Sequence, residues 1–383
     1  MSHIFLVAAE DSGDAVGADV FDALRAADSR VQISGIGGAN MRERGVSSNV
    51  DMSGLAVLGF VDGIKAYGRV KEAVKAAGDA VIKADPDAVV LIDSWGFMWR
   101  LARYLKERGL KAKRIKLVGP QVWATRPGRA RVLAQWCDHL LCIHAFEEPF
   151  YKKWGLPTTV IGNPALHRLP KGDAEAFRAQ HEAVDHKIII GLLPGSRPSE
   201  LKRVAPTLTE ACAILTHDLT GRIVVCVAAG SIEPAIREIA KAWTFPHIIV
   251  SGEAAKADAF AAMDVAIACS GTVTTELAAQ GAPVVLGYKL GWITWAIARL
   301  LKVYKPRYIA LLNVAAGREV APEFVQTRLT PKNVAAAAER LLTNPEAMAA
   351  QRKGQAAALK SMAGPGRPAA EIAAERILRL AGN

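Results

Sequence analysis

Short apolar runs alternate with amphipathic stretches along most of the 383-residue chain. An apolar run bounded by turn residues predicts a buried strand, and an apolar stripe at helical spacing predicts a helix. In the first half, strands are predicted at 4–9, 31–37, 88–93, 114–119, 139–144 and 158–162, with helices at 14–27, 64–84 and 98–109. This alternation predicts an α/β domain with a parallel sheet.

The polar stretch 169–187 interrupts the pattern, which then restarts with strands at 188–195, 223–230, 247–252, 264–271 and 282–288. We therefore predict two Rossmann-like, doubly wound domains, an N-terminal one over 1–168 and a C-terminal one over 187–360. A Gly/Pro-rich break at 361–368 precedes a last helix at 369–381, and the segment 369–383 is expected to pack on the first domain. Two such domains predict a central ligand cleft faced by the carboxyl ends of both sheets.

The amino-acid composition limits the classes of molecule that the protein is expected to bind. The net charge of +11 indicates anionic partners such as phosphates, an acidic membrane surface or nucleic acid. The positive charge is spread along the chain and no nucleic-acid-binding motif is present, so nucleic acid is disfavoured.

The five cysteines form no CxxC pair and mostly lie in apolar runs, which predicts buried thiols in a reducing compartment. The apolar segment 3–9 lacks the basic flank of a signal peptide, and no apolar run is long enough to span a bilayer. We expect a cytoplasmic protein that is free or peripheral on a membrane.

The strongest motif is LLPGSRPSE at 192–200, where an apolar strand runs into a glycine turn and a helix start. Gly195 permits close backbone approach, and the backbone N–H groups at Ser196 can meet a phosphate at the helix N-terminus. Arg197 can add bidentate bonds to a diphosphate. The alternative is an ordinary turn with a solvated arginine.

A second strand-to-helix turn, CSGTVTTELAAQG, begins at 269. Ser270, Gly271 and Thr272 offer backbone and hydroxyl donors, and Glu276 can accept both hydroxyls of a ribose. The alternative is a capping serine and a first-turn acid favoured by the helix dipole.

Three segments of the first domain also follow predicted strands. In AEDSGD, Glu10, Ser12 and Asp14 are candidates for contact with a second substrate, or they cap a helix. Asp93 is a candidate general base, or a helix-capping acid. In GPQVWATRPGRAR, Trp123 and Arg126 can hold a phosphate or sugar, or begin a solvated basic helix.

Other signals carry less weight. GIGGAN at 35–40 follows the second strand and lacks a third glycine, and the histidines show no metal-ligand spacing, so no metal is predicted. Segments 55–64 and 292–308 mix apolar, aromatic and, in the second case, basic residues. They predict either an anionic membrane surface or a packing face, including the face of a homodimer.

Taken in order, these motifs resemble those of the lipid-A-disaccharide synthase family over essentially the whole chain. The matching motifs are AEDSGD at 9–14, LAVLGFVDGI at 55–64, Ile92–Asp93, VWATR at 122–126, LLPGSR at 192–197, SGT with Glu276, and the run Asn313, 316–319, 322–324 and Gln326.

The resemblance implies a GT-B fold and an inverting glycosyltransferase with no metal and no cofactor. It implies a UDP-2,3-diacylglucosamine donor and a 2,3-diacylglucosamine 1-phosphate acceptor. The implied products are a β-1,6-linked disaccharide phosphate and UDP, formed in lipid A (lipopolysaccharide) biosynthesis at the inner face of the inner membrane. Asn313 and Glu319 are then expected to shape the sugar side, with Asp93 as the base and Arg197 stabilising the diphosphate.

The chain departs from the family pattern mainly on the expected acceptor side, at Ala9, Asp11, Trp95–Met98, Thr125 and Asn163. Acyl-chain length and acceptor identity therefore stay open. So do two alternatives: another UDP-sugar transferase or epimerase on the same fold, and a lipid- or nucleotide-binding relative without catalysis.

Overall fold

The computed structural model describes residues 2–46, 50, 63–167, 169–181, 187–271, 273–291 and 307–382. Thr272 and nearly all of the two predicted membrane or packing segments, 55–64 and 292–308, lie outside the described residues. The chain divides into two compact units. Unit 1 comprises Met1–His167 and Met362–Asn383, and unit 2 comprises Arg168–Ser361.

Unit 1 is built on a parallel sheet of six strands within the described residues, in the order β2-β1-β3-β4-β5-β6. Its strands are β1 His3–Ala8, β2 Gln32–Ile36, β3 Ala88–Ile92, β4 Lys113–Leu117, β5 His139–Cys142 and β6 Thr158–Val160. Its first helices are α1 Asp11–Ala27, α2 Ala39–Glu43, α3 Gly63–Ala84, α4 Trp95–Glu107, α5 Arg129–Trp136, α6 Glu148–Lys152 and α7 Pro164–His167.

The central strand β3 of unit 1 is apolar on both faces because helices cover both sides of the sheet. All five residues of β3 are buried. One face packs on α3, α4 and α5 through residues such as Leu91 and Leu101. The other packs on α1 and on the last helix of the chain, Ala369–Ala381, through residues such as Leu6 and Ile377.

Unit 2 repeats this architecture, with the strand order β12-β11-β10-β7-β8-β9 among the described residues. Its strands are β7 Ile188–Leu193, β8 Arg222–Ala228, β9 His247–Ser251, β10 Val265–Cys269, β11 Val284–Tyr288 and β12 Glu323–Val325. The helices from here to the chain end are α8 Ala174–Gln180, α9 Pro198–Arg203, α10 Ala205–Thr216, α11 Glu233–Ala240, α12 Glu253–Ala262, α13 Val273–Ala279, α14 Leu311–Ala316, α15 Pro331–Thr343, α16 Pro345–Ala363 and α17 Ala369–Ala381.

Each sheet has one point where the strand order reverses. In unit 1 the chain leaves β1 towards β2 and then returns to place β3 on the opposite side of β1. In unit 2 it leaves β7 towards β8 and returns to place β10 on the opposite side of β7. Loops at the carboxyl ends of such strands diverge and leave a crevice, where open α/β sheets bind ligands.

The prediction that the cysteines are buried thiols is confirmed, because all five are free and buried. Burial raises their pKa values, that of Cys137 to about 12, so these thiols stay protonated at neutral pH. Within the described ranges, no group of three or more His, Cys, Asp or Glu side chains could hold a metal ion. The helices of the described part of the chain include none long and apolar enough to cross a membrane.

Candidate functional site

The reversal point of unit 2 opens into a cavity of about 650 Å³, which lies within the usual range for small-molecule sites. Its walls come from the segments that follow β7, β8, β9 and β10. Of the predicted nucleotide-sugar residues, the lining includes Gly195, Ser196, Arg197, Ser270, Gly271 and Glu276. We call it the donor cavity, after the nucleotide-sugar residues predicted from the sequence that lie in its walls.

The turn after β7 depends on a glycine. Gly195 has a φ of +122°, and a Cβ at this position would lie 2.6 Å from the Cβ of Glu200. The Glu200 carboxylate accepts hydrogen bonds from the backbone N–H of Ser196 at 2.8 Å and of Arg197 at 3.3 Å. The N–H groups predicted to meet a phosphate are thus held by a carboxylate, which orders the turn and occupies an anion position.

The Arg197 side chain is 74% exposed beside the cavity, and its guanidinium lies 3.5 Å from Glu200. It contributes little to the fold, because exposed ion pairs are weak. It is consequently available to an anionic ligand entering the donor cavity.

The turn after β10 carries Ser270 and Gly271, and a Cβ added to Gly271 would meet no atom within 4 Å. Glu276, in the first turn of α13, forms an ion pair with Lys256 of α12 at 2.6 Å. Both side chains are mostly buried in the cavity wall. Lys256 belongs to no motif of the sequence. Its ion pair with Glu276 could not be predicted from the sequence, because it depends on the packing of α12 beside α13.

Asn313 is positioned differently from its prediction. It is fully buried, and its amide nitrogen donates to Ala321 O and Glu323 Oε2. Its amide oxygen accepts from the backbone N–H of Val320 and Ala321. All four hydrogen-bonding positions are used, which argues against direct contact with a sugar and makes Asn313 an organiser of the turn before β12. Glu319 is exposed in that turn, outside the donor cavity.

At the reversal point of unit 1, the structure brings together residues from two predicted motifs. Ser12 Oγ donates to the Asp93 carboxylate at 3.2 Å, and Ser94 Oγ donates to Glu10 Oε1 at 2.7 Å. Asp93 and Ser94 have φ values of +50° and +31°, which are uncommon for residues other than glycine. We call Glu10, Ser12, Asp93 and Ser94 the carboxylate cluster.

Beneath this cluster lies a residue that the sequence reading missed. Lys116 of β4 is buried, and its ammonium group donates to the backbone oxygens of Leu91, Asp93 and Leu117. The signal was a lysine in a central strand, which should be apolar on both faces.

Trp123 and Arg126 lie in the turns that follow β4, at the same edge of the sheet as the carboxylate cluster. The Trp123 indole packs edge-on against Phe146 at 5.6 Å, and its buried N–H has no partner in the part of the chain that the structure describes. Arg126 is exposed and has a φ of +50°.

Asp14 requires a correction. It is buried and accepts hydrogen bonds from the backbone N–H groups of Gly38, Asn40 and Met41 at the start of α2. Its carboxylate therefore supports the GIGGAN loop and does not serve as a substrate contact.

Residues 95–98, where the chain departs from the family pattern, were expected on the acceptor side, and the structure does not place all of them there. Phe97 and Met98 are buried in the apolar cluster under α4 and therefore do not face a ligand. Trp95 is partly buried and stacks on Trp99 with 6.4 Å between ring centroids. Asn163 accepts from Ala165 N–H at the start of α7, a local role.

Solved structures with the same fold cover almost the entire chain. The structure of the S. aureus MnaA–UDP complex aligns with a TM-score of 0.61 at 12% identity, covering 99% of this chain and 95% of that one. Acinetobacter baumannii MurG aligns with a TM-score of 0.58 at 15% identity, covering 99% and 100%. At these identities the likeness concerns the fold alone. Two parallel-sheet Rossmann-like units of this kind define the GT-B class.

The sequence comparisons are more specific. The chain matches the family described as Lipid-A-disaccharide synthetase over residues 4–377. It is 35% identical to the lipid-A-disaccharide synthase of Rhodospirillum centenum over 379 residues, covering 98% of this chain and 94% of the relative. It is 36% identical to the Gluconobacter oxydans enzyme of that name over 374 residues, covering 97% and 89%. The chain belongs to the lipid-A-disaccharide synthase family.

Proposed function

We propose that this chain is a lipid-A-disaccharide synthase. It transfers the sugar of UDP-2,3-diacylglucosamine to 2,3-diacylglucosamine 1-phosphate, giving the β-1,6-linked disaccharide phosphate and UDP. The observation that carries the proposal is the family match over residues 4–377, which includes the reversal points of both sheets. The relatives named for this activity cover the chain almost completely.

On the donor side, UDP binds in the donor cavity. Arg197 and the backbone around Ser270 and Gly271 meet the diphosphate, where negative charge grows as UDP departs. Glu276 accepts the ribose hydroxyls, with Lys256 fixing its carboxylate at 2.6 Å. The size of the cavity and the exposed guanidinium beside it support this assignment.

On the acceptor side, Asp93 acts as general base. Its carboxylate removes the proton of the acceptor hydroxyl while that oxygen attacks the anomeric carbon and the bond to the diphosphate breaks with its electron pair on UDP. Attack opposite the leaving group inverts the anomeric configuration. The hydrogen bond from Ser12 orients the carboxylate, and its place at the sheet reversal supports the role.

Glu10, Trp123 and Arg126 contact the acceptor. Arg126 is exposed and suited to a sugar phosphate, and the Trp123 ring is half-buried beside Phe146 at the same edge of the sheet. The expected homodimer stays a prediction.

The lipid substrates place the enzyme at an anionic membrane surface, on the cytoplasmic face of the inner membrane. A basic–aromatic face on α4, α5 and the turn after α6 supports this. Arg100 lies 4.6 Å from the Trp99 ring, Arg129 lies 5.3 Å from Trp95, and Trp154 is 43% exposed. The face comprises Trp95, Trp99, Arg100, Arg103, Lys106, Arg129, Arg131, Trp136, Lys153 and Trp154.

Tryptophan rings and cationic side chains of this kind favour the headgroup region of anionic bilayers. Co-sedimentation with phosphatidylglycerol vesicles and with phosphatidylcholine vesicles tests the assignment. Wild-type protein should favour the anionic vesicles, and the double variant Trp99→Ala/Arg100→Ala should lose most of this preference. Arg237→Ala, which removes an exposed cation from unit 2, is the matched control. Equal sedimentation of the double variant and the control would remove the basic–aromatic face from the proposal.

Turnover with the diacylated UDP-glucosamine and its 1-phosphate partner tests the function itself. The product mass identifies the disaccharide phosphate, and the proton coupling at its new anomeric centre gives the configuration. A 2-epimerised UDP-sugar, or UDP release with another acceptor, would indicate another GT-B enzyme. UDP binding without turnover would indicate a non-catalytic relative.

Asp93→Asn tests the base. The amide retains the shape of the side chain but cannot take a proton, so kcat should fall by about 100-fold or more while UDP affinity holds. Asp22→Asn changes a more exposed carboxylate of the same unit and should keep full activity. Near-normal turnover of Asp93→Asn would assign the proton transfer to another group.

A further inference from the structure

Lys116 is a buried cation of unit 1, with 1% of its surface exposed. It lies on β4, which pairs with β3 on one side and β5 on the other, so its side chain begins inside the sheet. The ammonium group donates to Asp93 O at 2.6 Å, Leu117 O at 3.0 Å and Leu91 O at 3.1 Å. All three of its N–H donors are used, each on a backbone carbonyl.

Those carbonyls border two strained turns at the carboxyl edge of the sheet. After β3, Asp93 and Ser94 have φ values of +50° and +31°, and after β4, Val118 has a φ of +63°. Left-handed conformations at residues other than glycine persist only where the surroundings fix them. Leu117 O also accepts from Asp93 N–H at 2.9 Å, so Lys116 and the Asp93 backbone share an acceptor.

Burial makes this lysine costly. It lowers the pKa of Lys116 to about 8, against the opposing effects of Asp93, Cys137 and Glu10. Leu91 and Leu101 belong to the apolar cluster on this side of the sheet, where an apolar side chain would avoid the loss of hydration. Stability alone therefore does not account for a lysine at this position.

We propose that Lys116 is a positioning residue that holds Asp93 in its left-handed conformation and so fixes the direction of the carboxylate. The carboxylate then meets Ser12 Oγ at 3.2 Å, and the next residue, Ser94, meets Glu10 at 2.7 Å. The proposal rests on the proposed role of Asp93 as general base. Lys116 touches neither substrate, and its effect on the reaction passes through the backbone of Asp93.

Lys116→Met replaces the ammonium group with an unbranched apolar side chain of similar length. We expect kcat to fall by about 10- to 100-fold, since a small misplacement of a catalytic group has effects of this size. UDP affinity should stay within about twofold of wild type, because UDP binds to the other unit. Lys113→Met, on the same strand, is the matched control and should keep wild-type kcat. If Lys116→Met fails to fold, Lys116→Gln is judged by the same criteria.

The double variant Asp93→Asn/Lys116→Met distinguishes an effect of Lys116 on the position of Asp93 from a general loss of order in the fold. If Lys116 acts through Asp93, the second substitution should cost nothing beyond Asp93→Asn alone, because residues that act as a unit are not additive. Full additivity of the two losses, or a wild-type kcat for folded Lys116→Met, overturns the proposal. If Asp93→Asn is active and Lys116→Met is slow, the role through Asp93 is overturned together with the base assignment.

The pH profile gives a second readout. Deprotonation of Lys116 removes one N–H donor and the charge beneath Asp93, so wild-type kcat should decline as pH rises through about 8. Asp93, Glu10 and Cys137 are the titratable groups that act on it. This decline should be absent in Lys116→Met, and an unchanged decline there would contradict the proposal.

Discussion

Arg197→Ala tests the proposed contact between Arg197 and the diphosphate of UDP, and it should change the stability of the protein very little. The Arg197 side chain is 74% exposed and pairs with Glu200 at 3.5 Å. Its removal should lower the free energy of unfolding by no more than about 0.5 kcal/mol, because exposed pairs contribute little. The turn itself is held by Gly195 and by the backbone bonds to Glu200, which the substitution leaves in place.

The loss in binding should be larger. Hydrogen bonds between a guanidinium and a phosphate contribute about 1.5–3 kcal/mol to affinity. At about 1.4 kcal/mol per tenfold change, the Kd of UDP should rise by about 10- to 100-fold. UMP lacks the β-phosphate, so its Kd should rise less, and the preference for UDP over UMP should shrink.

Titration calorimetry with both nucleotides measures these changes. Lys202→Ala, which removes an exposed cation of α9, the helix that begins just after Arg197, is the control and should bind UDP as wild type does, because Lys202 lies outside the donor cavity. Arg197→Ala with a UDP affinity equal to that of the control would refute the assignment. An equal loss for UDP and UMP would place Arg197 away from the β-phosphate.

Three further predictions concern the scaffold of unit 2. Gly195→Ala forces a Cβ into a backbone with φ +122° and should weaken UDP binding at least tenfold by calorimetry. Gly221→Ala, where an added Cβ meets no atom within 4 Å, should not. Asn313→Ala leaves two backbone N–H groups buried without partners and should cost about 2–4 kcal/mol in urea unfolding, and an unchanged midpoint would contradict this. The hydrogen bond from Arg222, together with its charge, holds the pKa of Glu339 below the usual range of a glutamate, so the pair stabilises the fold at neutral pH and loses its effect as pH falls through the lowered value. Glu339→Gln should thus be less stable than wild type at neutral pH, and the difference should shrink in acid as the Glu339 carboxylate is protonated; a constant difference would refute the pairing.

The apolar pattern predicted most of the fold because buried strands are apolar runs. The predicted strand 88–93 ends one residue beyond β3, and the predicted last helix, 369–381, coincides with α17. The pattern missed β12, Glu323–Val325, because this strand has three residues and lies at the edge of the sheet in the described part of the chain, where no apolar run is needed. Edge strands of this length have too little sequence to carry a signal.

The site residues that could be predicted from the sequence are those that directly follow predicted strands. Glu10, Ser12 and Asp93 follow strands that became neighbours, so parallel packing brings them together. Asp14 and Glu200 were less predictable, because their carboxylates bond to backbone N–H groups whose positions depend on the loops. The use of Asn313 as an internal connector arises likewise from the packing of a turn, which spacing along the chain does not encode.

The return of α17 to unit 1 has a consequence for the order in which the protein is made. Ala373 and Ile377 of α17 lie in the same apolar cluster as Leu6 of β1, at the opposite end of the chain. During synthesis the first unit to begin is therefore the last to have all of its core. The intervening unit, Arg168–Ser361, has its whole sequence available first. Until the final helix leaves the ribosome, one face of the first sheet has apolar surface exposed to solvent and to chaperones.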